Sequence, residues 1–219
     1  MSGRRSYGDA CGVARGLDVI GDRWALLVVR DLLLGPKRFN DLLAGLPGVS
    51  PNVLTQRLAD LTGHGVVRRR DLGAPARVHL YELTEWGREL EPVLLGLGRW
   101  GSRAPSPPDR ELGRDSLLLG VKARFDAARA DELRGTYELR VAPETYAVEV
   151  TEGSIEISRG DAGRPDATLT TDLDTLRAVL AGRRTPADAV RSGDLHLDGD
   201  PRAARNLTDL LQAPASPPA

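Results

Sequence analysis

Asn52, Thr55, Gln56 and Ala59 recur at helical spacing inside SPNVLTQRLADLTGHGVVRRR, residues 50–70. Two amides and a hydroxyl both donate and accept hydrogen bonds, and an alanine lets a helix approach closely whatever it faces. The chemistry is recognition of an edge that mixes donors and acceptors, without proton transfer. Arg68, Arg69 and Arg70 follow at once, and Arg77 comes after a Gly-Ala-Pro turn. Guanidinium groups in that density suit phosphate oxygens. Cys11 is the single cysteine, and Gly12 and Val13 after it start a helical stretch. A thiolate near a helix N-terminus is stabilised, and Arg15 adds to this, so Cys11 is a candidate redox thiol. Its plainer role is a small apolar residue at an interface. His64, His79 and His196 beside one cysteine give no metal-ligand spacing. There is no Gly-rich phosphate loop and no nucleophile elbow. The residue types therefore imply no enzyme, no cofactor and no metal.

The elements that must position these groups are readable in outline. Cys11–Ile20 reads as a short helix. Arg23–Leu34 reads as a second, with Trp24, Leu27, Val28 and Leu32 as its apolar set and Gly35-Pro36 ending it. Arg38–Leu46 is a third, stopped by Pro47-Gly48, and Arg38 at its start is placed to reach a phosphate. Ser50 is an N-cap for the fourth, with Pro51 at the first helical position, where its missing N–H is not needed. In that helix Leu54, Leu58 and Leu61 share one face, and the opposite face carries the amides and no acidic residue. Val66–Asp71 and Arg77–Leu83 read as two strands, and Thr84 caps one long last helix to about Trp100. Asp31 falls near Trp24, Leu27 and Val28 on a helical wheel; if buried it needs a cation, and Arg57 is the expected partner. Helix, helix, capped helix and basic hairpin, in that order, is the winged helix-turn-helix pattern of a DNA-binding module. A solvated polar face and an arginine-protected strand edge are the ordinary alternatives for each piece taken alone.

The whole chain of 219 residues allows two domains of about 100 residues each. Residues 1–104 hold 15 Lys/Arg against 11 Asp/Glu, and residues 105–219 hold 15 against 20. A basic half joined to an acidic half suggests two tasks. Three prolines within residues 105–108 mark a boundary. The expected domains are 1–103, a linker at 104–115, 116–212, and a tail at 213–219. No signal-peptide core and no apolar run of 18 residues occurs, so the expectation is a cytoplasmic protein that does not engage a membrane.

Residues 11 to about 101 resemble the HxlR-type winged-helix transcription regulators. The resemblance is carried by the cysteine, LDVIGDRW, RFNDL, SPNVLTQRL and YELTEWG, in that order. It implies a homodimer on pseudo-palindromic operator DNA, with the first and last helices of the module at the dimer interface. Apolar Val93, Leu94, Leu95 and Leu97 agree with this. It also implies that some relatives sense oxidants through a thiol at the position of Cys11. The candidate DNA-contacting residues are Arg38, Ser50, Asn52 and Thr55, then Gln56, Arg57, Arg70 and Arg77.

In the second half Tyr137, Leu139 and Val141 alternate with polar residues, as do Tyr146, Val148 and Val150, then Ile155 and Ile157. Period two with one apolar face means antiparallel strands, and 168–170 is a further strand. Short helices at 173–180 and 186–190, a strand at 195–197 and a closing helix complete an α+β fold class. This order, with the run GDLHLDGD, resembles the sterol carrier protein type 2 fold over residues 116–212. The resemblance implies an apolar ligand between sheet and helices, with Leu176, Val179, Leu180, Leu195 and Leu197 as candidate lining. The same leucines serve equally as core. The leading reading is a homodimeric transcriptional repressor tuned by an apolar effector. The alternatives are a thiol-based redox regulator through Cys11, or a hydrophobic-ligand carrier whose winged helix only dimerises.

Overall fold

The computed structural model describes residues 6–73, 78–105 and 111–212. Two compact units divide between Leu94 and Leu95. Arg77, residues 106–110 of the expected linker and the tail lie outside the described residues.

The first unit runs α1 (Gly12–Ile20), α2 (Ala25–Leu33), α3 (Phe39–Gly45), α4 (Pro51–Gly63), β1 (Val67–Asp71), β2 (His79–Leu83) and α5 (Glu85–Arg88), then enters α6 (Glu91–Gly101). Its core gathers Val28, Val29 and Leu32 of α2, Leu42 of α3, Leu54, Leu58 and Leu61 of α4, and Val66, Val67 and Leu83 at the hairpin root. Helix α2 begins two residues later than expected. Trp24 adopts φ 78°, a left-handed conformation that no α-helix can include. Leu27 is exposed rather than buried, and Ala25 and Val29 take the inner face with Val28 and Leu32. The expected long last helix is two. Pro92 has no N–H to donate to the carbonyl four residues back, so α5 stops at Arg88 and α6 begins at Glu91. Thr84 caps α5 as expected, its hydroxyl oxygen accepting from Gly87 N at 3.0 Å.

Asp31 is buried, 2% exposed, so it does need a cation. Its partner is not Arg57. Arg30 donates to Oδ1 at 2.8 and 2.6 Å, and the buried Lys37 brings Nζ to 3.6 Å from Oδ2. Arg57 reaches Asp22 and Asp60 instead. A one-dimensional wheel ranks cations by face alone; neighbours on α2 itself and on the turn to α3 come closer than anything on α4.

The second unit holds α7 (Arg114–Arg124), α8 (Ala130–Leu133), β3 (Gly135–Val141), β4 (Glu144–Thr151), β5 (Ser154–Arg159), β6 (Ala167–Thr171), α9 (Leu173–Leu180), α10 (Pro186–Arg191), β7 (Leu195–Gly199) and α11 (Pro201–Gln212). The sheet order is β5-β4-β3-β6-β7. Every pairing is antiparallel except β3 with β6, where Leu139 sits beside Leu169 in parallel register. Alternation reports one buried face, which both directions share. The expected inward sets, Tyr137/Leu139/Val141, Tyr146/Val148/Val150 and Ile155/Ile157, are all buried. Helix α7 replaces the end of the expected linker. Asp115 lies in its first turn and is buried against Arg159. The boundary also falls earlier than residue 103: Leu95 onward belongs with the second unit, where Arg99 donates to the Ala123 carbonyl at 3.2 Å.

Candidate DNA-binding interface

Helix α4 forms where the sequence places it. The Ser50 hydroxyl oxygen accepts from Val53 N at 3.4 Å, and Pro51 occupies the first position. Leu54, Leu58 and Leu61 are at most 1% exposed, so burying this stripe orients the helix. Asn52, Thr55, Gln56 and Ala59 are all exposed on the other side. The Thr55 hydroxyl donates to the Pro51 carbonyl at 2.9 Å, which keeps it close to the helix. The Gln56 amide donates to Asp60 Oδ1 at 2.9 Å. The reading face therefore does carry a carboxylate at its edge, a contact missed by the sequence reading although the i,i+4 spacing of Gln56 and Asp60 signals it.

Arg57 stands on the flank, its side chain only 13% exposed and bonded to Asp22 and, at 3.1 Å, to Asp60. Its Nε is buried without a hydrogen-bond partner. Arg57 thus ties α4 to the turn before α2. Arg38 is exposed at the N-cap of α3, its backbone N–H donating to Asp41 at 3.2 Å.

The hairpin pairs Arg68 with Glu82, Arg69 with Tyr81 and Arg70 with Leu80. Glu82 is buried and accepts from Arg68 Nε at 2.8 Å, with Arg70 Nε 3.5 Å from its other oxygen. Arg68 and Arg70 therefore share one counter-charge on one face, while Arg69 is exposed on the other. Residue 37 extends the sheet by one bridge: Lys37 N donates to the Tyr81 carbonyl at 3.0 Å and Tyr81 N returns the bond at 2.8 Å. The Thr84 hydroxyl donates to the Gly65 carbonyl at 2.7 Å, fixing the hairpin root to the end of α4. The Arg77 site lies outside the described residues.

Cys11 is exposed at the N-cap of α1. The backbone N–H groups of Ala14 and Val13 at the start of the helix favour the thiolate and hold the thiol below its usual range. Of the candidate ligand-lining residues, Leu176 and Val179 on α9 and Leu195 on β7 are buried in the core, and Leu180 and Leu197 are half-buried. No cluster of three His, Cys, Asp or Glu side chains that could hold a metal is found among the described residues. No helix among them is long and apolar enough to cross a membrane.

Three helices packed on a hairpin, with an amide-bearing helix face exposed and arginines on the hairpin, define a winged helix-turn-helix DNA-binding unit. Comparison with known proteins agrees. Residues 19–108 match the HxlR-like helix-turn-helix family, and residues 118–212 match the SCP-2 sterol transfer family. The HTH-type transcriptional regulator sll1512 of Synechocystis sp. is 40% identical over 96 residues, which are 43% of this chain and 70% of that one. The HTH-type transcriptional regulator YdeP of Bacillus subtilis is 38% identical over 96 residues, 43% of this chain and 74% of that one. Among solved structures, the redox regulator HypR in its oxidized form is 34% identical, covering 44% of this chain and 100% of that chain at a TM-score of 0.42. The chain belongs to the HxlR-like helix-turn-helix family and is a DNA-binding transcriptional regulator with a C-terminal SCP-2 domain.

Proposed function

We propose that the protein is a homodimeric, cytoplasmic repressor that reads a pseudo-palindromic operator with α4 and holds phosphates with its wing. The observation that carries this is the outward face of α4, where Asn52, Thr55, Gln56 and Ala59 are exposed over a buried leucine stripe. Ser50 and Arg38, at the starts of α4 and α3, fit backbone contacts, and Arg70 fits the wing contact. Arg57, already held by two carboxylates, has a structural role in this reading. Homodimerisation is supported by α1, none of whose nine residues is buried although Val13 and Leu17 are large and apolar. An apolar hollow of about 230 Å³ beside it is lined by Gly16, Val19, Ile20, Val66, Trp86, Glu89 and Leu90. Exposed Val93, Leu97 and Trp100 on α6 add to the apolar surface needing cover. An apolar effector in the SCP-2 domain would bias the equilibrium between DNA-binding states by its differential affinity for them.

The test is binding of the full chain to DNA upstream of its own gene across a salt series, with random-sequence DNA alongside. Gln56→Ala is expected to narrow the preference for the specific site by about 1–3 kcal/mol while leaving random DNA nearly unaffected. Arg70→Ala is expected to weaken both DNAs alike and flatten the salt slope by up to about one. Equal binding of both DNAs by the unaltered chain would favour a carrier of hydrophobic ligands instead.

A second reading is favoured by Cys11, which is exposed with its thiol lowered by two N–H groups. Two Cys11 thiols, one from each copy, would reduce a hydroperoxide to an alcohol and water and form one intersubunit disulfide. Because the folded-state value is depressed, alkylation of the native chain by iodoacetamide should reach half its maximal rate at a lower pH than in the urea-unfolded chain. Coinciding pH profiles would remove the basis for a sensor.

A further inference from the structure

We infer that Asp60 is a positioning residue for DNA reading: its carboxylate fixes which edge of the Gln56 amide is presented to a base. The inference rests on α4 being the reading helix. A side-chain amide has two nearly isosteric ends, and recognition of an adenine needs a donor and an acceptor in the right order. Asp60 Oδ1 lies 2.9 Å from Gln56 Nε2. The carboxylate can only accept, so it rejects the amide oxygen and holds the nitrogen against the helix. That leaves Oε1 and the second N–H of Gln56 for a bidentate contact, already ordered.

Asp60 is itself held. Its other oxygen accepts from Arg57 at 3.1 Å, and the same guanidinium nitrogen reaches Asp22 on the turn before α2. Arg57 is fixed by burial, with a side chain 13% exposed. The chain of contacts therefore runs from the packed body of the unit through Arg57 and Asp60 to the exposed amide. The second consequence is electrostatic. Asp60 and Asp22 place negative charge beside the helix and neutralise Arg57, which restrains attachment to any phosphate backbone. One carboxylate thus sharpens reading of sequence and weakens binding that ignores it.

Asp60→Asn tests both halves, since asparagine is isosteric but can donate or accept and so no longer dictates the amide's direction. The probes are the duplex that the unaltered full-length chain selects from a randomised library and a random-sequence duplex. Asp60→Asn is expected to bind random DNA several-fold more tightly, because one negative charge beside the helix is removed. The ratio of specific to random affinity is expected to fall about three- to tenfold, the scale of ordering one side chain. In a Gln56→Ala background Asp60→Asn should leave that ratio unchanged, an outcome that a general structural role would not produce. An unchanged ratio for the single Asp60→Asn variant, with a selected duplex in hand, overturns the positioning role alone. Failure of the unaltered chain to select any duplex overturns the reading helix and this inference together. Far-UV circular dichroism and the urea midpoint of each variant separate a reading defect from misfolding.

Discussion

Asp31→Ala is expected to destabilise the N-terminal unit by about 3 kcal/mol, because it leaves buried positive charge without its carboxylate. Lys37 is 7% exposed and Asp31 2% exposed, so water cannot replace the lost partner. Arg30 loses its two bonds to Oδ1 as well. The effect reaches the wing, since the backbone of Lys37 exchanges two hydrogen bonds with Tyr81, which stands opposite Arg69 in the hairpin. The protein also makes room for this carboxylate: a Cβ on Gly45 would come 2.3 Å from Asp31 Oδ2. Gly45→Ala should therefore shift stability in the same direction, and less when Asp31 is already alanine. Tryptophan fluorescence during urea unfolding in a Trp100→Phe background is the appropriate readout, because the two remaining tryptophans, Trp24 and Trp86, both lie in the first unit. An Asp31→Ala midpoint that matches the unaltered chain would show that the buried pair contributes nothing.

The Asp31 cluster also shows where sequence reasoning reaches its limit. Burial of the carboxylate follows from its place on the apolar side of α2, and the need for a cation follows from that burial. The identity of the cation does not follow. Lys37 arrives through the bridge with Tyr81, and that pairing spans 44 positions along the chain. Arg57 has an attractive spacing but is occupied by Asp60 three residues on, a local pair that intrinsic helix geometry favours. Local rules thus correctly place Ser50, Pro51 and the three leucines of α4, and non-local pairing defeats them at Asp31.

The same division holds elsewhere. The caps at Ser50 and Thr84 use one side chain and a backbone N–H three residues later, so they are legible from sequence. The break before α6 was also legible in Pro92, had its missing N–H been weighed against the carbonyl of Arg88. The parallel pairing of β3 and β6 was not, because alternation fixes faces and leaves strand direction open. At the interface, the exposed amide face was legible from periodicity, whereas the counter-charges were not. Glu82 was read only as part of a strand, yet it lies across from Arg68 and beside Arg70, and it sets how much of the wing's charge DNA will meet. Cross-strand register determines that contact, and the turn that sets the register carries no amide–glycine signature.

Arg159→Ala is expected to have the largest effect in the second unit, about 3–5 kcal/mol of lost stability. Arg159 closes a cluster that joins α7 to the sheet. Its Nη2 donates to Asp115 Oδ1 at 2.9 Å, its Nη1 donates to Glu144 and lies 3.2 Å from the Tyr146 hydroxyl, and its guanidinium sits 5.2 Å from the Tyr146 ring centroid. Burial alone would lower the guanidinium, but Asp115, Tyr146 and Glu144 together outweigh it and the net shift is upward. Burial, with the Asp115 charge, pushes the Tyr146 phenol up, so it stays a neutral donor to Asp115 at 3.1 Å. Without Arg159 the carboxylates of Asp115 and Glu144 face each other across the phenol without that cation, and repulsion adds to desolvation. Removing Asp115 together with Arg159 should therefore destabilise less than the sum of the single changes, with a coupling of about 1–3 kcal/mol. Urea unfolding followed by far-UV circular dichroism should show the shift, while the transition reported by Trp24 and Trp86 in a Trp100→Phe background stays in place. Additive single and double variants would show that the cluster is a set of independent surface pairs and that α7 is held to the sheet by its leucines alone.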